Sequence, residues 1–450
     1  MAQAKGIGIV LSGTAPAMTL MSGAMLAFAE RDVEFDVIST TGVGGLIGML
    51  YLAPKGGDRK KALRELRNLF VSDWLYKVVP INFKVFHKYS SLAPSFYRLR
   101  KALPRFTIPP DEPSELKRLF NDWMELWATV WTPASYEFKR EAYMSHVPLV
   151  EDLVDFDKLK ASTTRFYLNA FSLATRRLRI FDHTEVTPDI YNGAQAMFML
   201  LPPVATDHDL LTTGATRDPT GLQAIWRSGE RDNLTGVLAL DPLTRCFWRK
   251  PTDAYDAFQL MLMNPIVALQ QFMYAVYAKT DALVNGLPEN SPPASAPMSN
   301  AHLKVPRLFG IPVTTIAQED EPRMLKWTHA NAVALHDAGL RAARPFAEWL
   351  ATQAAGTAAL EQSLAPFRFA TRFLTPKEQP RSHQFLAGIF GPMFANYDKV
   401  IDCLYKDWTS QKDERQQAGS RPVESRPGEP RPEEPKPEGP RSDKGQEDSR

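Results

Sequence analysis

The chain has 450 residues, 44% of them apolar, 10% aromatic and 23% charged, with a formal net charge of +2. That composition excludes a wholly disordered, collagen-like or fibrous chain, and it provides for a sizeable core without metal or disulfide staples. The two cysteines, Cys246 and Cys403, form no CxxC and no metal-ligand set, which points to a reducing compartment and a cytoplasmic chain.

The near-neutral total conceals segregation. Residues 55–106 hold 13 Lys/Arg against three Asp/Glu, and residues 411–450 hold nine basic against ten acidic side chains, so the remaining 358 residues sum to −7. Residues 6–29 carry no charge behind a lone Lys5 and so imitate a signal peptide or a spanning helix. Ser12-Gly13-Thr14 and Pro16 interrupt that stretch and Glu30-Arg31 ends it, which favours a buried strand–turn–helix unit.

In chain order, GIGIVL (6–11) predicts a short strand and a helix follows to about Glu30. DVIS (36–39) predicts a second strand, entering a Thr/Gly turn and a helix from Val43 to about Leu52. This alternation is that of an α/β parallel sheet. After the basic stretch, residues 114–131 place Leu116, Leu119, Phe120, Trp123, Trp127, Val130 and Trp131 on one helical face, with Ser114 as N-cap. RFYLNAF (165–171) and RLRIF (177–181) predict a strand pair, and 191–204 a helix stopped by Pro202-Pro203. DLLTT (209–213), TGVLAL (235–240) and FGIPVTTI (309–316) predict further strands, and Met324–Leu350 is largely helical. Residues 286–300 read as a long loop. The tail from Gln411 is expected to be disordered, because 19 of its 40 residues are charged, seven are proline and none is aromatic.

A nucleophile in an α/β hydrolase sits on a sharp strand-to-helix turn flanked by small residues, where the helix N-terminus and backbone N–H groups face the developing oxyanion. Thr40-Thr41-Gly42-Val43-Gly44-Gly45 has that setting, with glycine where the hydroxyl belongs. His329 and His336 lie seven apart with no third ligand nearby, so they read as capping or solvent-facing, and no metal is expected. No G-x-G-x-x-G follows the first strand, so no dinucleotide and no other cofactor is expected.

Four stretches in order resemble the patatin-like phospholipase family, in particular bacterial members with a long C-terminal extension. They are LSGTAPAMTLMSGAMLAF (11–28), FDVISTTGVGGLIGMLYLA (35–53), residues 150–182 and residues 194–221. The resemblance covers roughly residues 5–250, with a weaker echo to about 355. It implies a three-layer α/β/α patatin-like sheet with an additional helical region, and a Ser–Asp dyad cleaving lipid acyl esters. Its boundaries would be 1–54 for the first part, 55–149 for a basic aromatic insertion and 150–250 for the second part. A C-terminal extension at 251–410 and the tail at 411–450 complete the chain.

Residue by residue, the resemblance puts the nucleophile at Gly42, the catalytic acid at Thr213 and the oxyanion loop on Gly13, Thr14, Ala15 and Pro16. Gly44 and Gly45 complete the elbow. Glycine has no side chain, threonine is no general base near neutral pH, and Pro16 has no N–H to donate. The expectation is a pseudoenzyme that binds a lipid or acyl group, or regulates a partner such as an active relative in a hetero-oligomer. The alternatives are an active acyl hydrolase with relocated residues, Thr41 or Thr40 replacing the serine and the Asp207–Asp209 segment the acid, and a scaffold on a membrane or lipid surface. Phe70, Trp74, Tyr76, Phe83, Phe86, Tyr89, Phe96, Tyr97 and Phe106 among the cations of 55–106 would suit an anionic membrane. No nucleic acid is expected.

Overall fold

The computed structural model describes residues 2–13, 18–102, 114–132, 134, 142–207, 209–230, 233–240, 250–251, 254–285, 306–311 and 326–352. Thr14, Ala15, Pro16, Phe106, His208, both cysteines, the 286–300 loop, residues 312–316 and the 411–450 tail lie outside the described residues.

In chain order, β1 (Ala2–Leu11), α1 (Met18–Glu30), β2 (Val33–Thr41) and α2 (Gly44–Leu52) form the expected opening. Residues 55–149 hold α3 (Arg59–Glu65), α4 (Asp73–Val78), β3 (His87–Lys88), α5 (Ala93–Ala102), α6 (Glu115–Trp131) and β4 (Met144–Ser145), with β3 and β4 paired. Helices α7 (Leu149–Leu153) and α8 (Phe156–Lys160) lead to the hairpin of β5 (Arg165–Ser172) and β6 (Arg177–Asp182). Then follow α9 (Pro188–Gln195), β7 (Val204–Thr206), β8 (Asp209–Thr213), α10 (Leu222–Arg227), β9 (Gly236–Leu240), α11 (Ala254–Asn285), β10 (Arg307–Ile311) and α12 (His329–Thr352).

The sheet runs β10-β9-β1-β2-β5-β8-β7, with β6 also on β5. From β10 to β5 it is parallel, which requires helical crossovers and buries both faces. Alternation along the strands sorts the core into two layers. Ile9 and Leu11 of β1 and Phe166 and Leu168 of β5 pack with α1, α2 and α12. Val10, Val37 and Val237 point the other way, against Leu222 and Ile225 of α10 and Tyr274 and Tyr277 of α11. The fold is therefore a three-layer α/β/α sandwich.

The uncharged 6–29 stretch accounts for a central strand and for α1, which is buried from Met18 to Ala29. A helix apolar on every side needs cover on every side. The sheet supplies one cover, and α12 with α3 the other, Ser22 Oγ donating to the Leu63 carbonyl of α3. Helices α1 and α12 cross so closely that a Cβ added at Gly23 would stand 1.8 Å from the His336 carbonyl oxygen, and one at Gly339 would stand 1.9 Å from that of Leu20. His336 and His329 are thus buried rather than solvent-facing. His329 is the first residue of α12, and its Nδ1 lies 2.8 Å from an Arg118 nitrogen. Burial, with the cations Arg118, Lys84 and Arg67, pushes its pKa down to about 4.

One expected element changes. Residues 191–204 are not one helix: Thr187 caps a helix with Pro188 in its first turn, and this helix ends at Gln195. The Ala196 carbonyl then accepts from Thr213 N and Thr212 Oγ1, which ties the chain to β8. Helix α6 forms where predicted, its Ser114 hydroxyl accepting from Lys117 N, but its polar side faces inward. Asp122, Glu125 and Thr129 are buried while Phe120, Trp123, Trp127 and Trp131 are exposed. Of the aromatics within 55–106, Phe70, Tyr76, Phe83 and Tyr97 are buried. Phe70 and Phe86 pack on Trp327 with ring centroids 5.1 and 5.3 Å away, joining this stretch to the start of α12.

Candidate functional site

The pairing of β5 decides what the fold brings together. Along one edge, β5 pairs with β6 from Tyr167 to Ser172. Along its other edge it pairs first with β2, up to Thr41 opposite Asn169, and then with β8, from Thr213 opposite Ala170. Because β2 runs parallel to β5 and β8 antiparallel, the C-terminal ends of β2 and β8 meet head-on. They are separated by one residue step of β5, about 3.3 Å of rise. Gly42 and Thr213, far apart in sequence, are therefore adjacent in space.

Gly42 leaves β2 with φ +51°, Val43 returns to helical dihedrals, and α2 begins at Gly44. That is a strand–elbow–helix turn, with a left-handed residue at the position where a nucleophile would stand. The small residues around it are required by contact. A Cβ at Gly44 would lie 2.4 Å from the Leu11 carbonyl oxygen, and one at Gly45 would lie 2.8 Å from Leu168. At Gly13, the described member of the expected oxyanion loop, it would lie 2.8 Å from the Thr41 carbonyl oxygen. At Gly42 itself a Cβ would meet, among the described residues, only Gly13, 3.3 Å from its Cα. Every residue from Thr40 to Leu50 is buried.

The neighbouring hydroxyls divide into committed and unpartnered. Thr40 Oγ1 donates to the Tyr167 carbonyl at 2.8 Å, and Ser39 Oγ donates to the Gly221 carbonyl at 2.5 Å. Thr213 Oγ1 accepts from Ala215 N at 3.3 Å and so caps the turn after β8. Thr41 Oγ1 and its sheet neighbour Asn169 Oδ1 are buried with no hydrogen-bond partner among the described residues. Gly214 is pressed against that asparagine, since a Cβ there would fall 2.3 Å from Asn169 Oδ1.

Of the carboxylates near β8, Asp209 is held in structure. Burial would raise its pKa, but hydrogen bonds from Ser172 Oγ (2.6 Å) and Leu210 N, together with Arg179, outweigh that and keep it below the ordinary aspartate value. Asp207, on the turn between β7 and β8, is described, whereas its neighbour His208 is not. Sequence reading missed Asp218, fully buried five residues after Thr213. Its carboxylate accepts from Thr220 N, Thr220 Oγ1, Gly221 N and Gln223 N, which caps α10. Its backbone carbonyl accepts from Asn169 Nδ2 at 2.9 Å. Burial pushes its pKa up against those hydrogen bonds. The signal was present as Asp218-Pro219-Thr220-Gly221 before an apolar helix. It holds the turn between β8 and α10 and ties that turn to Asn169 of β5.

Among the described residues, no cluster of three or more His, Cys, Asp or Glu could hold a metal. No helix among them is long and apolar enough to cross a membrane.

Residues 9–221 match the family model described as patatin-like phospholipase. Among solved structures, the chain is similar to VipD from Legionella pneumophila at 10% identity and a TM-score of 0.28, over 74% of this chain. It spans 66% of the VipD chain. No curated protein matches.

Proposed function

With residues 9–221 forming a patatin-like phospholipase domain, we propose that this chain keeps the scaffold of an acyl hydrolase and works by binding rather than by hydrolysis. The observation that carries the proposal is the junction of β2 and β8. Two strand ends meet head-on at Gly42 and Thr213, where Gly42 has no side chain to attack with and Thr213 has a turn-capping hydroxyl in place of a carboxylate. The backbone at the junction is retained, with a left-handed elbow and glycines where no Cβ would fit. Loss of the nucleophile from a cooperative hydrolase site lowers turnover by about six orders of magnitude. Two binding roles suit such a scaffold: holding an acyl lipid, or pairing with an active relative.

The competing reading is a hydrolase with a displaced nucleophile. It draws on Thr41, whose Oγ1 is unpartnered. Thr41 is fully buried at the end of β2, its partner across the sheet is the amide Asn169, and it lies one position before the elbow residue. Purified protein assayed with short-chain nitrophenyl esters is expected to show only background hydrolysis, unchanged by Thr41→Ala. Saturable hydrolysis abolished by that substitution would overturn the proposal in favour of the displaced nucleophile.

A further inference from the structure

Helix α6 is amphipathic in the reverse sense to a core-packing helix. Leu116, Phe120, Trp123, Trp127 and Val130 recur at alternating spacings of four and three, with Trp131 beside them. All six are between 41% and 79% exposed. The opposite side is polar and buried. Asp122 lies 2.5 Å from Lys84 Nζ and accepts from Ser72 N at 2.6 Å. Turning α6 over would bury the aromatics but strand that ion pair, and an uncompensated buried charge is strongly destabilising. The outward aromatic face is therefore specified by the packing beneath it.

The face extends beyond one helix. Helix α4 packs against α6 and adds exposed Trp74 and Val78, one turn apart. Trp123 and Trp127 stack edge-to-face, 6.1 Å between centroids. Cations border the patch. Lys77 and Lys117 are exposed with no ion-pair partner among the described residues, and Lys88 Nζ reaches the Val130 carbonyl at 2.9 Å. Of the four acids within α4 and α6, Asp122 and Glu125 are buried, Asp73 accepts from Ala330 N, and Glu115 is exposed.

We propose that the outward face of α4 and α6 docks the protein on an anionic lipid bilayer, with Trp74, Trp123, Trp127 and Trp131 at the headgroup boundary and Lys77, Lys88 and Lys117 on the phosphates. Charge complementarity selects this occupant. Tryptophan presents an apolar body with one donor, which suits the boundary between acyl chain and water, and lysine stems can lie along apolar surface while the ammonium stays among the headgroups. A patch of this kind is more than the scattered apolar residues usual on a surface. The inference is independent of whether the elbow turns over substrate.

Flotation of the full chain tests it, with phosphatidylcholine vesicles and with vesicles containing phosphatidylserine. Partitioning is expected to be at least tenfold stronger on the anionic vesicles and to weaken as salt rises. Lys77→Glu with Lys117→Glu should weaken it by roughly fivefold or more per site. Trp123→Ser/Trp127→Ser/Trp131→Ser should abolish it while leaving the circular dichroism and melting temperature unchanged, since those side chains support no core. Equal binding to both vesicles, or wild-type binding by the tryptophan variant, would overturn the proposal. Self-association lost in that variant without any vesicle binding would also overturn it, in favour of a seam between two copies.

Discussion

Replacing Gly23 with alanine is expected to lower the thermal midpoint by at least about 8 °C, or to leave no folded protein. The added methyl would stand 1.8 Å from the backbone oxygen of His336. No side-chain rotation relieves a clash with backbone, so α1 and α12 must separate. Separation opens the closest packing against α1 on the side away from the sheet, and α1 is buried from Met18 to Ala29. Ordinary overpacking costs about 1–3 kcal/mol, and losses above about 4 kcal/mol belong to a few mechanisms that include this one. Gly339→Ala should behave alike, because its methyl would meet the Leu20 carbonyl oxygen at 1.9 Å. Gly57→Ala is the control. Unlike the two helical glycines it has a positive φ, +82°, but no described atom lies within 4 Å of its added methyl, so only backbone strain of about 1–3 kcal/mol is expected. Thermal unfolding followed by circular dichroism decides it. A wild-type midpoint for Gly23→Ala would mean that α12, which lies beyond the residues matched to the family, does not seal the domain.

The second large effect is a rate that fails to return. Gly42→Ser combined with Thr213→Asp restores both side-chain types at the strand junction. Among the described residues the serine Cβ would meet Gly13 alone, its Cα at 3.3 Å, although φ of +51° strains any L-residue there. A carboxylate at 213 would replace a hydroxyl that now caps the following turn. Hydrolysis of nitrophenyl esters is nevertheless expected to stay within tenfold of wild type. An oxyanion donor is worth about two to three orders of magnitude, and Pro16 in the corresponding loop has no N–H. The elbow residues Thr40 to Gly45 are also buried. Saturable turnover in the double variant, lost on reverting either position, would show that donors and access are present and that the two side chains alone are missing.

Local pattern revealed much of this fold. The apolar run of residues 6–11 and the Gly42–Gly45 turn are written into adjacent residues, and the strand and the elbow form there, the strand starting earlier at Ala2. The head-on meeting of β2 and β8 is a long-range pairing. It depends on β5 sharing one edge between two strands, which DLLTT cannot announce. The break after Gln195 was legible in Thr187-Pro188, a capping signal overlooked in favour of the apolar run that follows it. Periodicity identified α6 but not which face turns inward, because the deciding ion pair joins Asp122 to Lys84 across 38 positions. The small residues Ala332, Gly339 and Ala343 of α12 hinted at a close helix crossing, but nothing local named α1 as its partner.

The central claim is that the elbow holds no reactive nucleophile, and chemical trapping tests it without depending on a guessed substrate. The full chain is incubated with a fluorophosphonate, which phosphonylates an activated hydroxyl with loss of fluoride, and its intact mass is measured. The expected result is unmodified protein after prolonged exposure. One adduct per chain, mapped by tandem mass spectrometry to Thr40 or Thr41 and absent in Thr41→Ala, would contradict the claim.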